Sequence, residues 1–199
     1  DLHGLNTLQY QPAKIAAIEG HWDNSSGEPT PLILFGMPNE DKEETQYKIE
    51  IPYLASLILN HSLEKPIPAL KDFPKEERPP SAVIFWSFRI MVAMGLLMVL
   101  VAVIGLFLRR NKAYMHKRWY LQTLRLMTLS PFIAVLAGWF VTEVGRAPYL
   151  IYGQMTHAEG VTPSLTGGMA LFTLIGYFLV YAFVFAAGAY YLTRVIRTG

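Results

Sequence analysis

The run Ile90-Met91-Val92-Ala93-Met94-Gly95-Leu96-Leu97-Met98-Val99-Leu100-Val101-Ala102-Val103-Ile104-Gly105-Leu106-Phe107-Leu108 decides the fold. None of its nineteen residues is charged. Wound as a helix, it rises about 28 Å, close to the hydrocarbon thickness of a bilayer. Extended back to Ala82, the run gains a single charge, Arg89. Two more runs of this kind follow. One spans residues 119–142, with Arg125 near its start, and the other spans 168–193, inside a stretch from Gly160 to Thr193 that holds no charge. The pattern predicts an all-α membrane protein with three transmembrane helices, at about 82–108, 119–142 and 168–193.

What precedes these spans is different in kind. Residues 1–80 hold 13 acids and 7 bases, whereas residues 81–199 hold 2 acids and 10 bases. We therefore divide the chain into a polar extracytoplasmic segment, 1–80, and a membrane region, 81–199. The first segment reads as small and mixed α/β. Pro12 suits the first turn of a helix over 11–20 and Gly20 its C-terminal cap. Residues 31–36 read as a short buried strand and 47–51, by its alternation, as a half-buried one, with the acidic stretch 39–44 between them. Residues 53–59 are apolar but too few to span a bilayer. Residues 63–80, with five prolines, read as a linker.

Orientation follows from the bases. Residues 109–118 carry Arg109, Arg110, Lys112, Lys117 and Arg118 and no acid, and the tail carries Arg194 and Arg197. These belong on the cytoplasmic side, which puts 1–80 and 143–167 outside. The bases sit at the ends of apolar runs rather than on one polar face, so the chain is not read as binding nucleic acid. The absence of cysteine excludes disulfides and thiolate ligation. Residue 1 is Asp and the first 30 residues hold no signal-type apolar core, so the chain is expected to be part of something longer.

Three groups of residues carry possible chemistry. Trp139, Glu143 and Arg146 are spaced i, i+4, i+7 and share a helix face, with Gly145 and Pro148 ending the helix. Glu143 is the only acid between Glu77 and Glu159. A carboxylate at a membrane boundary is costly unless paired, hydrated or bound to a metal. Here it is either an interfacial pair with Arg146 or a ligand. Met91 is a possible axial thioether ligand to heme iron, but with Met94 and Met98 it also forms a stripe at packing spacing. Arg89, embedded in the span, calls for an anion or a cavity. It points about 200° away from Met91 on an ideal helix, which leaves its partner open. Lys14 and Glu19 flank Ile15-Ala16-Ala17-Ile18. They are either solvated charges on an amphipathic helix or a base and an acid able to hydrogen-bond a quinol head group and take its protons. The five histidines, His3, His21, His61, His116 and His157, lack metal-ligand spacing and read as surface residues.

Taken together, Lys14-Ile15-Ala16-Ala17-Ile18-Glu19, Phe88-Arg89-Ile90-Met91 and Trp139-Phe140-Val141-Thr142-Glu143-Val144-Gly145-Arg146 resemble subunit I of cytochrome bd-type quinol:oxygen oxidases. They stand in that family's order, and the likeness covers essentially all 199 residues. The resemblance is to the C-terminal part of the subunit, from within its outer quinol-binding loop onward. The 70 positions between Glu19 and Arg89 suit the branch with a short loop.

The resemblance implies specific roles. Met91 matches a ligand of the low-spin heme b, with Arg89 beside that heme. Glu143 matches the carboxylate ligand of a high-spin heme b, with Trp139 and Arg146 in the heme cluster. Lys14 and Glu19 match residues linked with quinol oxidation. A heme d, or a further heme b replacing it, would complete the set. The implied reaction carries electrons from quinol to oxygen and gives water, in a bacterial inner membrane. The implied partners are the upstream part of subunit I, subunit II and membrane lipid. Where the family often reads Gly-Arg-Gln-Pro-Trp, this chain reads Gly145-Arg146-Ala147-Pro148-Tyr149, and Ala147 has no amide to hydrogen-bond. The competing reading is a non-enzymatic membrane anchor or assembly protein. A transporter would call for paired broken-helix repeats, and no internal repeat is visible.

Overall fold

The computed structural model describes residues 2–24, 27–63, 65–109 and 117–198. Most of the basic 109–118 loop, from 110 to 116, and with it His116, lies outside the described residues. The chain forms two compact units, residues 1–157 and 158–199.

The first unit is organised around a short helix. Helix α1 (Leu2–Tyr10) leads into α2 (Pro12–Glu19), and Gly20 closes α2 in a left-handed conformation (φ 64°). Eight residues are too few for a helix to hold on its own. What holds α2 is burial: every residue from Ala13 to Glu19 is buried. Ile15 and Ile18 join Trp22, Ala55, Leu59, Ile67, Leu70, Ile84 and Val141 in one core. Each fully buried isoleucine contributes about 1.5–3 kcal/mol, enough to offset the weak intrinsic helicity. This core draws Ile84 from the first span and Val141 from the second, so α2 is packed against the ends of both.

Strands β1 (Leu32–Asn39) and β2 (Glu44–Ile51) pair antiparallel across a turn made by the acidic stretch, but the strand at 47–51 is exposed along its length rather than half-buried, because no element among the described residues covers Tyr47 or Ile49. Residues 53–59 largely become α3 (Leu54–Asn60). The segment 63–80 departs from its reading as a linker. Ile67, Ala69 and Leu70 are fully buried, and the backbone N–H groups of Leu70 and Lys71 donate to the carbonyls of His21 and Trp22. Among its prolines this stretch forms only two short 3-10 turns, Leu70–Asp72 and Lys75–Glu77, but its apolar residues still enter the core.

The first span is a continuous helix, α4 (Ser81–Arg109). The second is broken into α5 (Arg118–Met127) and α6 (Ser130–Val144). The reason is Pro131 in the first turn of α6, which has no N–H to give to the carbonyl of Met127. The Ser130 hydroxyl donates to that carbonyl instead, at 2.7 Å. α6 runs back along α4: Met91 faces Gly138, and the Tyr120 hydroxyl of α5 donates to the Val101 carbonyl at 3.2 Å. Beyond α6 a turn with a cis Ala147–Pro148 bond leads to a small hairpin, β3 (Tyr149–Ile151) and β4 (Met155–Thr156).

The second unit contains α7 (Gly167–Thr198), the third span. Its 32 residues rise about 48 Å, more than a bilayer core requires. Among the described residues, three stretches are thus long and apolar enough to cross a membrane, the broken pair α5–α6 counting as one.

Candidate functional site

The seven residues singled out from the sequence fall into two groups within the first unit, with α2 reaching toward both. Lys14 lies at one end of this helix and Glu19 at the other, and each faces a different span.

Lys14 turns toward the end of α6. Its ammonium donates to the Gln11 side chain at 3.1 Å and to the Thr142 carbonyl at 3.2 Å. Thr142 is in the last turn of α6, where carbonyls have no intrahelical partner and a cation is favourable. The lysine stem lies across Gly145: a Cβ there would stand 2.8 Å from Lys14 Cε and 2.3 Å from the Val141 carbonyl oxygen. Gly145 therefore serves as the seat of Lys14, a role that its φ of −68° would not reveal. Burial depresses the Lys14 pKa, and Arg146 depresses it further, while Glu143 opposes them. Glu143 and Arg146 form an ion pair one turn apart, both partly exposed. Trp139, one turn before Glu143, is 67% exposed.

Glu19 turns toward α4. It is 6% exposed, and its Oε2 has no hydrogen-bond partner among the described residues. A buried unpaired carboxylate oxygen favours the protonated acid. Burial accordingly raises the Glu19 pKa from its ordinary 4.5 to about 7, although Arg89 pulls it the other way. A carboxyl that titrates near neutrality can accept and release a proton at ordinary pH.

Arg89 and Met91 point to different partners, as the helical geometry anticipated. The guanidinium of Arg89 leaves α4 toward the 1–80 segment. Nη1 donates to the Ile18 carbonyl at 2.7 Å, Nε donates to those of Ile33 and Leu34 at 3.1 and 3.2 Å, and Nη2 also reaches Ile33. Met91 lies half-buried on the face toward α6. Its sulfur stands 3.0 Å from where a Cβ on Gly138 would be, so it fills the space that the glycine leaves on α6.

A thioether on α4 and an accessible carboxylate on α6 are donor types that heme iron accepts, although here the sulfur packs on Gly138 and the carboxylate pairs with Arg146. The histidines offer no rival centre. His3, His61 and His157 are exposed, as expected. His21 differs: it is half-buried and hydrogen-bonded to Asn24 at 2.6 Å. No cluster of three metal-binding His, Cys, Asp or Glu side chains occurs among the described residues.

The family model described as cytochrome bd terminal oxidase subunit I matches residues 1–199. A protein of Bacillus subtilis (strain 168), cytochrome bd ubiquinol oxidase subunit 1, is 34% identical over 96% of this chain and 43% of its own length. Cytochrome bd-II ubiquinol oxidase subunit 1 of Escherichia coli (strain K12) is 28% identical over 100% of this chain and 51% of its own length. Among solved structures, the bd oxidase from Geobacillus thermodenitrificans superposes with a TM-score of 0.82 at 35% identity, covering 100% of this chain and 44% of that one. The chain spans about half the length of the curated relatives it matches.

Proposed function

The chain belongs to the cytochrome bd terminal oxidase subunit I family, and from that premise we propose that it is part of the heme-binding, quinol-oxidising subunit of a membrane terminal oxidase. The assembled enzyme passes electrons from quinol to oxygen and gives water. The observation that carries this reading is Glu19, a buried carboxyl with one unpartnered oxygen and a pKa of about 7.

Glu19 takes the proton of a quinol hydroxyl at Oε2 and passes it to water outside. Its carboxylate is costly in that environment, which drives it to recover a proton. Lys14 spends two of its three ammonium donors on Gln11 and Thr142, which leaves one for a quinol oxygen. Residues 1–80 form the outer quinol-binding segment and 81–199 the membrane region. Residues 143–167 also lie outside, and 109–118 and the C-terminus lie in the cytoplasm.

Met91 would hold the iron of a low-spin heme b, with Arg89 close by along α4. Glu143 would hold a high-spin heme b, with Trp139 and Arg146 beside it, and a heme d or a further heme b would complete the set. When bound, these hemes supply the path for electrons and the iron at which oxygen is reduced. The upstream part of subunit I, subunit II and lipid surround the three spans.

The test is to replace Lys14 or Glu19 with alanine in the assembled oxidase and to measure quinol oxidation beside heme content. Oxidation should fall while the heme spectra are retained. A matched loss of heme and activity would assign both residues to folding and sink the proposal.

A further inference from the structure

Arg89 uses its donors in an unusual way. An arginine at the outer end of a membrane span would ordinarily face an anion. Here the oxygens it binds are all neutral backbone carbonyls: Ile18 at the end of α2, Ile33 and Leu34 at the start of β1, and Phe85 one turn earlier on its own helix. Its guanidinium carbon also lies 3.3 Å from the centroid of the Phe85 ring. Ile18 is the residue before Glu19. One planar, forked cation thus joins three elements, α4, α2 and β1, at the base of the buried acid.

We infer that Arg89 is a positioning residue for the quinol-side acid, pinning the Glu19 end of α2 and the first strand to the membrane span. This rests on the reading of Glu19 as a proton acceptor. The assignment goes beyond the proximity of Arg89 to Met91, because the hydrogen bonds of the guanidinium run away from Met91. Geometry favours arginine over lysine here: the guanidinium binds four carbonyls at once, one more than the three donors of an ammonium can serve. Among the described residues, Arg89 is the charged side chain that acts on the Glu19 carboxyl. The pin therefore sets both where the acid sits and how readily it gives up its proton.

The test uses the assembled oxidase carrying Arg89→Gln, Arg89→Lys, Glu19→Gln and the Glu19→Gln, Arg89→Gln pair. Hydrogen exchange reads the pin directly. Charge-assisted hydrogen bonds are among the stronger ones, so their loss in Arg89→Gln should speed exchange over 15–22 and 31–37 by at least ~tenfold. The pH profile reads its electrostatic effect. The limb of quinol kcat/KM assigned to Glu19 should move to higher pH in Arg89→Gln and stay in place in Arg89→Lys, which keeps the charge. KM should rise in both. Adding Arg89→Gln to Glu19→Gln should move no limb. Should Arg89→Gln fail to assemble, Arg89→Lys still tests the pin, because it reaches fewer carbonyls and should quicken exchange over 31–37. Unchanged exchange in these variants would overturn the inference, whatever happens to the hemes. If Glu19→Gln keeps the limb, Glu19 is not the proton acceptor, and exchange alone then upholds or overturns the pin.

Discussion

Replacing Glu19 with glutamine removes one proton site and almost nothing of the side chain's volume. The carboxyl is buried, one of its oxygens has no partner among the described residues, and its pKa stands at about 7 against an ordinary 4.5. At 1.36 kcal/mol per pH unit, that separation makes carrying the charge in the folded chain cost on the order of 3 kcal/mol. The sign follows from which state holds the proton. Between pH 4.5 and 7 the folded chain keeps a proton that the unfolded chain has released, so stability falls as pH rises. The contribution is complete below pH 4.5 and is lost above about 7. Glu19→Gln is neutral throughout and should escape this decline. At pH 8 the variant should be more stable than the parent by up to ~3 kcal/mol, and at pH 4.5 the two should nearly coincide. Activity should move the other way. The parent should gain quinol kcat/KM as pH rises through about 7. The variant should lose that limb and about 10²-fold in rate, the usual contribution of a general base. Chemical unfolding of the purified complex at two pH values, beside a pH–rate profile, measures both. Parallel stability curves for parent and variant would show that Glu19 is not a buried titrating acid, and the reasoning would fail.

Three other outcomes are expected. Met91→Leu should preserve the fold but convert or remove one low-spin heme b, and an unchanged low-spin spectrum would reduce the methionine stripe to packing. Glu143→Gln should remove most of the high-spin heme b signal. Exchanging Glu143 and Arg146 should remove it too, whereas a spectrum preserved by the exchange would mark the pair as structural. Gly145→Ala forces a methyl group against the Val141 carbonyl and the Lys14 stem, so it should cost about 1–3 kcal/mol and displace the lysine from its seat. Unfolding midpoints would check the stability, and a wild-type midpoint would contradict the close contact.

The membrane spans were legible because lipid imposes a simple rule, and an uncharged run as long as 90–108 suits little besides a bilayer. The break in the second span was carried by Pro131, a signal that hydropathy averages away. The segment 63–80 departs from expectation for a different reason. Proline density reports which backbone shapes are forbidden, but not whether Ile67 and Leu70 find a core. At the site, Lys14 and Glu19 stood out as a base and an acid flanking an apolar stretch, and their partners did not. Lys14 meets a carbonyl 128 residues away, and the carbonyl bound by Arg89 beside Glu19 is 71 residues from it. Every residue has a carbonyl, so no letter of the sequence marks the one that will be bound. The seat at Gly145 was equally silent, because a glycine at an ordinary negative φ resembles any helix end.

The position of Arg89 also bears on how this family can vary. Its bond to Ile18 closes the 1–80 segment at its base, where α2 meets α4. The polypeptide between these points is a loop whose ends are already joined. Lengthening such a loop is cheap, since each doubling adds only about 0.6 kcal/mol of closure entropy. Residues inserted at the turn between β1 and β2 would extend away from the tied base and leave Glu19 where it is. Outer segments of very different size can therefore share one tied base, and natural selection can remodel the exterior without disturbing the buried carboxyl beneath it.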